Sequence, residues 1–293
     1  MGGASYVRIA LAGGSPERRE WATAEAFAAG ALGAEERAGG VWLYAEAGAG
    51  DAVLAALAPF DDLELRGPEP VPTEAWPETW KEGLGPIVVS PRLLVRPPFA
   101  AAPAGFAGVE LVIEPGQAFG IGGHASTRLV LEAITALPPG RLHGRRVLDV
   151  GCGTGVLALA ALALGAEDAV AFDLDPLATA AAHEAATANG LRGRLAVFTG
   201  SLDALGPGAF DLVVANLLRR ELEPLLAGLV ARLRPDGRLL LAGLLARERE
   251  GVEAALAAQG AEVEEAREIA DADGERWLGL TARLARNHSK VRP

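Results

Sequence analysis

The chain has 293 residues, half of them apolar, and a formal net charge of −11 at neutral pH. That length and apolar fraction suit one large and one small folded domain and exclude disorder as the main state. The acidic balance argues against a general nucleic-acid binder; it would suit a basic protein partner, though solubility alone is the simpler reading of it, while the single cysteine, Cys152, excludes an internal disulfide or a cysteine-based zinc site.

One cysteine also fits a reducing cytoplasm. No charged segment leading into an apolar stretch opens the chain, and no run of about 18 apolar residues occurs, so neither a signal peptide nor a membrane span is expected. The expected assembly is a cytoplasmic monomer that touches neither membrane nor nucleic acid directly.

Tyr6 to Ala12 alternates like a half-buried strand. Pro16 to Gly30 reads as a helix with Trp21, Ala24 and Phe27 or Ala28 on its packed face. Ala31 to Arg37 and Val41 to Ala45 read as strands around the turn at Gly39-Gly40. Asp51 is placed to cap a short helix to Leu57, and Leu63 to Leu65 is the last strand of this part. Strand, helix, strand, strand, helix, strand is the ferredoxin-like order. Residues 1–66 are therefore expected to form a small α+β recognition domain, with no histidine or cysteine to carry chemistry.

Pro68, Pro70, Pro72 and Pro77 mark residues 67–100 as a stiff linker. Trp76 and Trp80 in it are spaced to seat it on a domain. Ile87 to Val89 and Leu93 to Val95 look like short strands, and Val109 to Ile113 like a third.

From 101 to 286 the pattern is that of an α/β domain. Gly116, Gly120, Gly122 and Gly123 make an irregular loop, with Phe119 and His124 embedded in it. Ser126 or Thr127 can cap the helix expected from Arg128 to Ala136. Val147 to Val150 is a buried strand, broken by Gly151, Gly153 and Gly155, and Val156 to Leu164 restarts as a helix. Strand, glycine loop and helix N-terminus make a place where backbone can approach a ligand closely. Further strands are expected at Ala169 to Phe172, Leu195 to Phe198, Phe210 to Ala215 and Arg238 to Ala242. Helices fall between them at Pro176 to Asn189 and, after Asn216, through about Leu233. After a helix at Glu248 to Gln259, Ala261 to Ile269 and Trp277 to Leu284 form a closing antiparallel pair. Residues 287–293 are a polar tail. Alternating strands and helices imply a mostly parallel sheet whose ligands sit at the carboxyl ends of the strands.

The glycine loop is Asp149-Val150-Gly151-Cys152-Gly153-Thr154-Gly155. The third glycine of a dinucleotide fingerprint would fall at Val156, so that reading fails. Gly-x-Gly-x-Gly after a strand and an aspartate resembles the first motif of Rossmann-like methyltransferases that use S-adenosylmethionine. Asp173, about 20 residues beyond the loop, stands where such folds place an acid on ribose hydroxyls. Asp149 can organise the loop or reach the cofactor's amino group. Asn216, ending the fourth strand, can hydrogen-bond the cofactor's amino-acid end or a substrate amine, and Ser201 can face the adenine. Cys152 reads as a small residue in a tight turn.

The stretch Phe119-Gly120-Ile121-Gly122-Gly123-His124-Ala125-Ser126-Thr127 resembles the Phe-Gly-Thr-Gly-x-His-x-Thr-Thr motif of the PrmA family, methyltransferases of the large-subunit ribosomal protein L-eleven. The likeness extends over nearly the whole chain. It implies a class I methyltransferase domain behind a ferredoxin-like substrate-recognition domain. It also implies S-adenosylmethionine held by Thr127, Gly151, Asp173 and Asn216, and methyl transfer to lysine or N-terminal amines of that ribosomal protein. Asp149, Gly153, Gly155 and Ser201 complete the expected cofactor set, and Phe119, Gly120 and His124 the substrate side, with no catalytic base and no metal. Ile121 and Ser126 stand where threonines are usual. A related methyltransferase with another substrate and a non-enzymatic ribosomal-protein binder are the alternatives.

Overall fold

A computed structural model describes residues 6–37, 40–71, 84–116, 122–207, 210–271 and 274–285. The chain divides into two compact units, Met1–Leu84 and Gly85–Pro293.

In the first unit β1 (Tyr6–Gly13), α1 (Pro16–Ala28), β2 (Ala31–Arg37), β3 (Gly40–Glu46), α2 (Gly50–Leu57) and β4 (Leu63–Val71) follow in order. The strands pair antiparallel as β2-β3-β1-β4, the ferredoxin-like arrangement. Val7, Ile9 and Leu11 alternate into the core against Val41, Leu43 and Ala45. The face of α1 turned to them is not the expected one. Ala22 and Ala26 are fully buried, while Trp21 is 65% and Phe27 45% exposed. Small side chains let the helix lie close on the sheet, which leaves the aromatics outside. Asp51 also sits one position inside α2, where its charge favours the helix N-terminus without capping it.

β4 runs past the expected Leu65 through Pro68 and Pro70. It is an edge strand, where a missing backbone donor costs no ladder bond. The register with β1 shifts between Arg8 and Ala10, opposite Gly67. Gly67 has φ +113°, and a Cβ there would lie 2.6 Å from the Arg8 carbonyl oxygen. Residues 67–71, expected in the linker, therefore complete the first sheet. Trp76, Trp80, Pro72 and Pro77 lie outside the described residues.

The second unit begins earlier than expected, at Gly85. β5 (Ile87–Ser90), β6 (Leu93–Arg96) and β7 (Val109–Val112) form a small sheet, with Leu93, Leu94 and Val95 fully buried. Residues 85–100 thus belong to this unit and not to a linker. The Asn189 side chain docks on β7 like one more strand: Oδ1 accepts from Val112 N–H at 2.8 Å, and Nδ2 donates to Val112 O at 2.7 Å.

The main sheet has the order β10-β9-β8-β11-β12-β14-β13. Its strands are β8 (Arg146–Val150), β9 (Asp168–Asp173), β10 (Leu195–Thr199), β11 (Phe210–Asn216), β12 (Leu233–Leu245), β13 (Ala261–Ala270) and β14 (Arg276–Leu284). The first five pair in parallel, and β14 runs antiparallel to both β12 and β13. Helices α3 (Ala125–Ala136), α4 (Val156–Ala163) and α5 (Pro176–Ala188) belong with one core. The short helices α6 (Arg219–Leu222) and α7 (Leu226–Ala231), with α8 (Arg249–Ala258), belong with the other. Val147 buries into the first core and Leu148 into the second, as strand alternation requires. The single helix expected after Asn216 is broken into α6 and α7 by a 3₁₀ turn containing Pro224. The Pro235-Asp236-Gly237 turn is absorbed into β12 as an irregularity in its pairing with β11. Among the described residues no helix is long and apolar enough to cross a membrane.

Candidate active site

The carboxyl ends of β8, β9 and β11 open into one cavity of about 770 Å³, within the usual size range for small-ligand sites. Three pieces of local chemistry build its floor.

The first is the glycine loop. Gly151, Gly153 and Gly155 have φ of +65°, +52° and +74°, a region other residues rarely adopt. Gly151 and Gly153 line the cavity. Gly155 does not: it is the N-cap of α4, and a Cβ on it would lie 3.1 Å from the Ala182 Cβ. Glycine offers no capping oxygen, and Asp149 supplies one from β8. Alternation puts it on the Val147 side of the sheet, where its Oδ2 accepts the Ala158 N–H at 3.0 Å. Its Oδ1 is buried with no hydrogen-bond partner among the described residues. Burial pushes the Asp149 carboxyl up to about 7; the Ala158 hydrogen bond opposes this, and the nearby Asp173 charge adds to it. Asp149 is not part of the lining; it caps the first turn of α4 behind the loop.

The second piece is Asp173, at the end of β9. Its Oδ2 accepts from Gly153 N–H and its Oδ1 from Asp175 N–H, each at 3.0 Å. The carboxylate thereby ties the glycine loop to the N-terminus of α5, and each oxygen keeps a lone pair for the cavity. Asp175, Leu174 and Ser201 lie beside it in the lining.

The third piece is the opposite side. Asn216 ends β11 and lines the cavity; its Nδ2 donates to Thr127 Oγ1 at 3.2 Å. Thr127 is buried inside α3 and outside the lining, so it positions Asn216. α3 starts three residues before the expected Arg128 because His124, not Ser126 or Thr127, is its N-cap. His124 Nδ1 accepts the Ser126 N–H at 3.2 Å and lies 2.8 Å from Ser126 Oγ. A backbone N–H can only donate, so a neutral ring carries its proton on Nε2. Burial lowers the His124 pKa below the ordinary value, and the Asp271 charge partly offsets this. Phe119, Gly120 and Ile121 lie outside the described residues.

Gly151, Gly153, Asp173, Ser201, Asn216 and His124 thus meet in one crevice, while Thr127, Asp149 and Gly155 stand behind it. Glu221, Leu217, Gly243 and Trp277 also line it and were not foreseen. For Trp277 one signal existed: it is the only tryptophan after Trp80, and it opens the closing hairpin. Asp173, Asp175 and Glu221 bring three carboxylates to the described lining, which has no lysine or arginine. Carboxylates, an amide and a hydroxyl set in a mostly apolar lining fit a ligand with a positive centre and a polyhydroxyl part. Cys152 is buried, which raises its thiol pKa far above the usual range.

A model of the family described as Ribosomal protein L11 methyltransferase (PrmA) matches residues 51–283. The chain is 39% identical over 217 residues to the ribosomal protein L11 methyltransferase of Pelobacter propionicus, covering 73% of this chain and 68% of that protein. With that of Syntrophotalea carbinolica the identity is 42% over 213 residues, 71% of this chain and 68% of the relative. Among solved structures, a ribosomal protein L11 methylase from Lactobacillus delbrueckii subsp. bulgaricus superposes with a TM-score of 0.61 at 30% identity, over 69% of this chain and 100% of that one.

Proposed function

The chain belongs to the ribosomal protein L11 methyltransferase family, and on that premise we propose that it transfers methyl groups from S-adenosylmethionine to lysine or N-terminal amines of that ribosomal protein. The observation that carries this is the crevice itself: an acid at the end of β9, a glycine loop at the end of β8 and an amide at the end of β11 share one cavity with no cationic side chain in its described lining. When bound, the cofactor supplies a methyl group activated on a positively charged sulfur.

The chain's own part is binding and orientation. The lone pairs left on Asp173 would accept from ribose hydroxyls, and Gly151 and Gly153 would let the cofactor approach the backbone. Ser201 lies where it can face the base. Asn216, held by Thr127, sits between this half and the half lined by His124 and Trp277, and orients the group that accepts the methyl. His124 is no base for the amine: a ring with its Nδ1 engaged and its proton on Nε2 has no lone pair to offer. The amine reaches the site neutral after losing its proton to water. It must then be held about 3–3.5 Å from the reacting carbon.

The first unit serves recognition of the ribosomal protein. Trp21 and Phe27 stand exposed on α1, and the net charge of −11 complements a basic partner. A ribosomal-protein substrate implies a cytoplasmic location. The test is incubation of purified ribosomal protein L11 with the protein and S-adenosylmethionine, followed by intact-mass measurement. Mass increments of whole methyl groups are expected. A protein that binds the cofactor yet leaves that substrate unmodified contradicts the substrate assignment.

A further inference from the structure

Trp277 has no part in the chemistry described so far, and its side chain is held from two directions. Its indole Nε1–H donates to Asp271 Oδ2 at 2.7 Å. Its ring meets the His124 ring edge to face, with centroids 4.6 Å apart and planes at 75°. Asp271 is itself fixed in the turn between β13 and β14. Its Oδ1 accepts the Glu275 N–H at 2.9 Å, and its backbone N–H donates to Glu275 O at 3.0 Å. One carboxylate thus has one oxygen on the turn and the other on the indole.

The strand order says which part of the crevice this wall serves. β14 is antiparallel to β12, so its first residues lie at the edge where the parallel strands end, and Trp277 pairs with Leu245 there. Along that edge run Asp173 on β9, Gly151 after β8, Asn216 on β11, Gly243 on β12 and then Trp277. β9 and β14 are four strand spacings apart, about 19 Å. If the sugar is held at Asp173, Trp277 lies past Asn216, on the side from which an acceptor must enter. An indole face there can pack the apolar stem of a lysine and attract its ammonium before deprotonation. A ring already held needs no ordering when the amine binds.

Resting on the methyltransferase reading, we propose that Asp271 is a positioning residue: it latches Trp277 against His124 as the acceptor-side wall of the crevice, and so governs how the target amine is held without touching cofactor binding.

The experiment is a double-mutant cycle on the full chain, with ribosomal protein L11 and S-adenosylmethionine as substrates. Asp271→Ala removes the acceptor of the latch, and Trp277→Phe removes its donor while keeping an aromatic ring. Each should raise the acceptor KM about tenfold with kcat and the calorimetric cofactor Kd changed less than about twofold. The double variant should be no worse than Asp271→Ala alone, because the hydrogen bond that Trp277→Phe removes is then already gone. Additive effects or a parallel loss of cofactor affinity overturns the proposal. So does a lowered melting temperature in Asp271→Ala with an unchanged acceptor KM, since that marks a role confined to the turn. If the unaltered protein does not methylate the ribosomal protein, the substrate assignment fails. The latch is then read from the Trp277 indole N–H resonance, identified by its loss in Trp277→Phe. Hydrogen exchange about tenfold faster in Asp271→Ala supports the latch, and unchanged exchange contradicts it.

Discussion

On one side of the crevice, Val150 to Gly155 is a single stretch of backbone, and the acid that completes it, Asp173, ends the neighbouring strand. On the other side, His124, Asn216 and Trp277 come from three separate parts of the chain and meet only because α3, β11 and β14 converge at one edge of the sheet. The first wall is shaped by backbone conformation, the second by side chains that hold one another: Thr127 on Asn216, Ser126 on His124, Asp271 on Trp277. The first should therefore govern whether the cofactor binds, and the second what happens to it afterwards.

The sharpest way to break this division is to damage each wall and read both constants. Asp173→Ala removes the ribose acceptor and both ties to Gly153 and Asp175. It should weaken S-adenosylmethionine binding by about 100-fold or more in a calorimetric titration, since hydrogen bonds to a charged group contribute about 1.5–3 kcal/mol each. Asn216→Ala should do the reverse, lowering kcat about 30-fold with the cofactor Kd within about threefold, as expected for lost orientation at the reacting centre. Equal losses in both constants for both variants would erase the distinction.

The support behind the first wall is tested through pH. Asp149 binds its proton more tightly folded than unfolded, with its folded pKa about 7 and its ordinary value 3.8. Its charging therefore costs stability as pH rises from about 4 through about 7. Asp149→Asn keeps an oxygen for Ala158 N–H and cannot ionise. Its melting temperature should exceed that of the unaltered protein by about 3 °C or more at pH 8, with the gap closing near pH 4. A gap that does not depend on pH contradicts the assignment.

The smallest effect concerns the second wall. His124 has a lowered folded pKa, so the stability of its cap is present above pH 6.5 and declines as pH falls below it, when Nδ1 must take a proton. His124→Asn replaces one capping group by another that does not titrate. It should flatten the acid side of the melting curve by about 1 °C; an unchanged acid limb argues against the cap.

The two walls also differ in how far they were legible in the sequence. Gly151, Gly153 and Gly155 could be read because a loop that needs left-handed backbone shows it in consecutive residues, and Asp173 because one strand–helix unit separates it from them. Trp277 could not. Its place depends on β14 inserting between β12 and β13 and running against them, and nothing local to Trp277 states that order. The elements outside the site failed for related reasons. Pro68 and Pro70 look like linker until β4 is seen to be an edge strand. Trp21 and Phe27 look like the core face of α1 because periodicity weighs every apolar residue alike, whereas close packing on the sheet selected Ala22 and Ala26. His124 as a helix cap was hidden by better capping residues, Ser126 and Thr127, directly after it.

The central claim is that the nucleoside of the cofactor lies across the carboxyl ends of β9, β8 and β11. A crystal structure of the protein with S-adenosylhomocysteine tests it directly. The account predicts ribose hydroxyls hydrogen-bonded to the Asp173 carboxylate, the chain of the ligand crossing Gly151 and Gly153, and its sulfur turned toward Asn216. A nucleoside bound elsewhere, or with its sugar out of reach of Asp173, contradicts it.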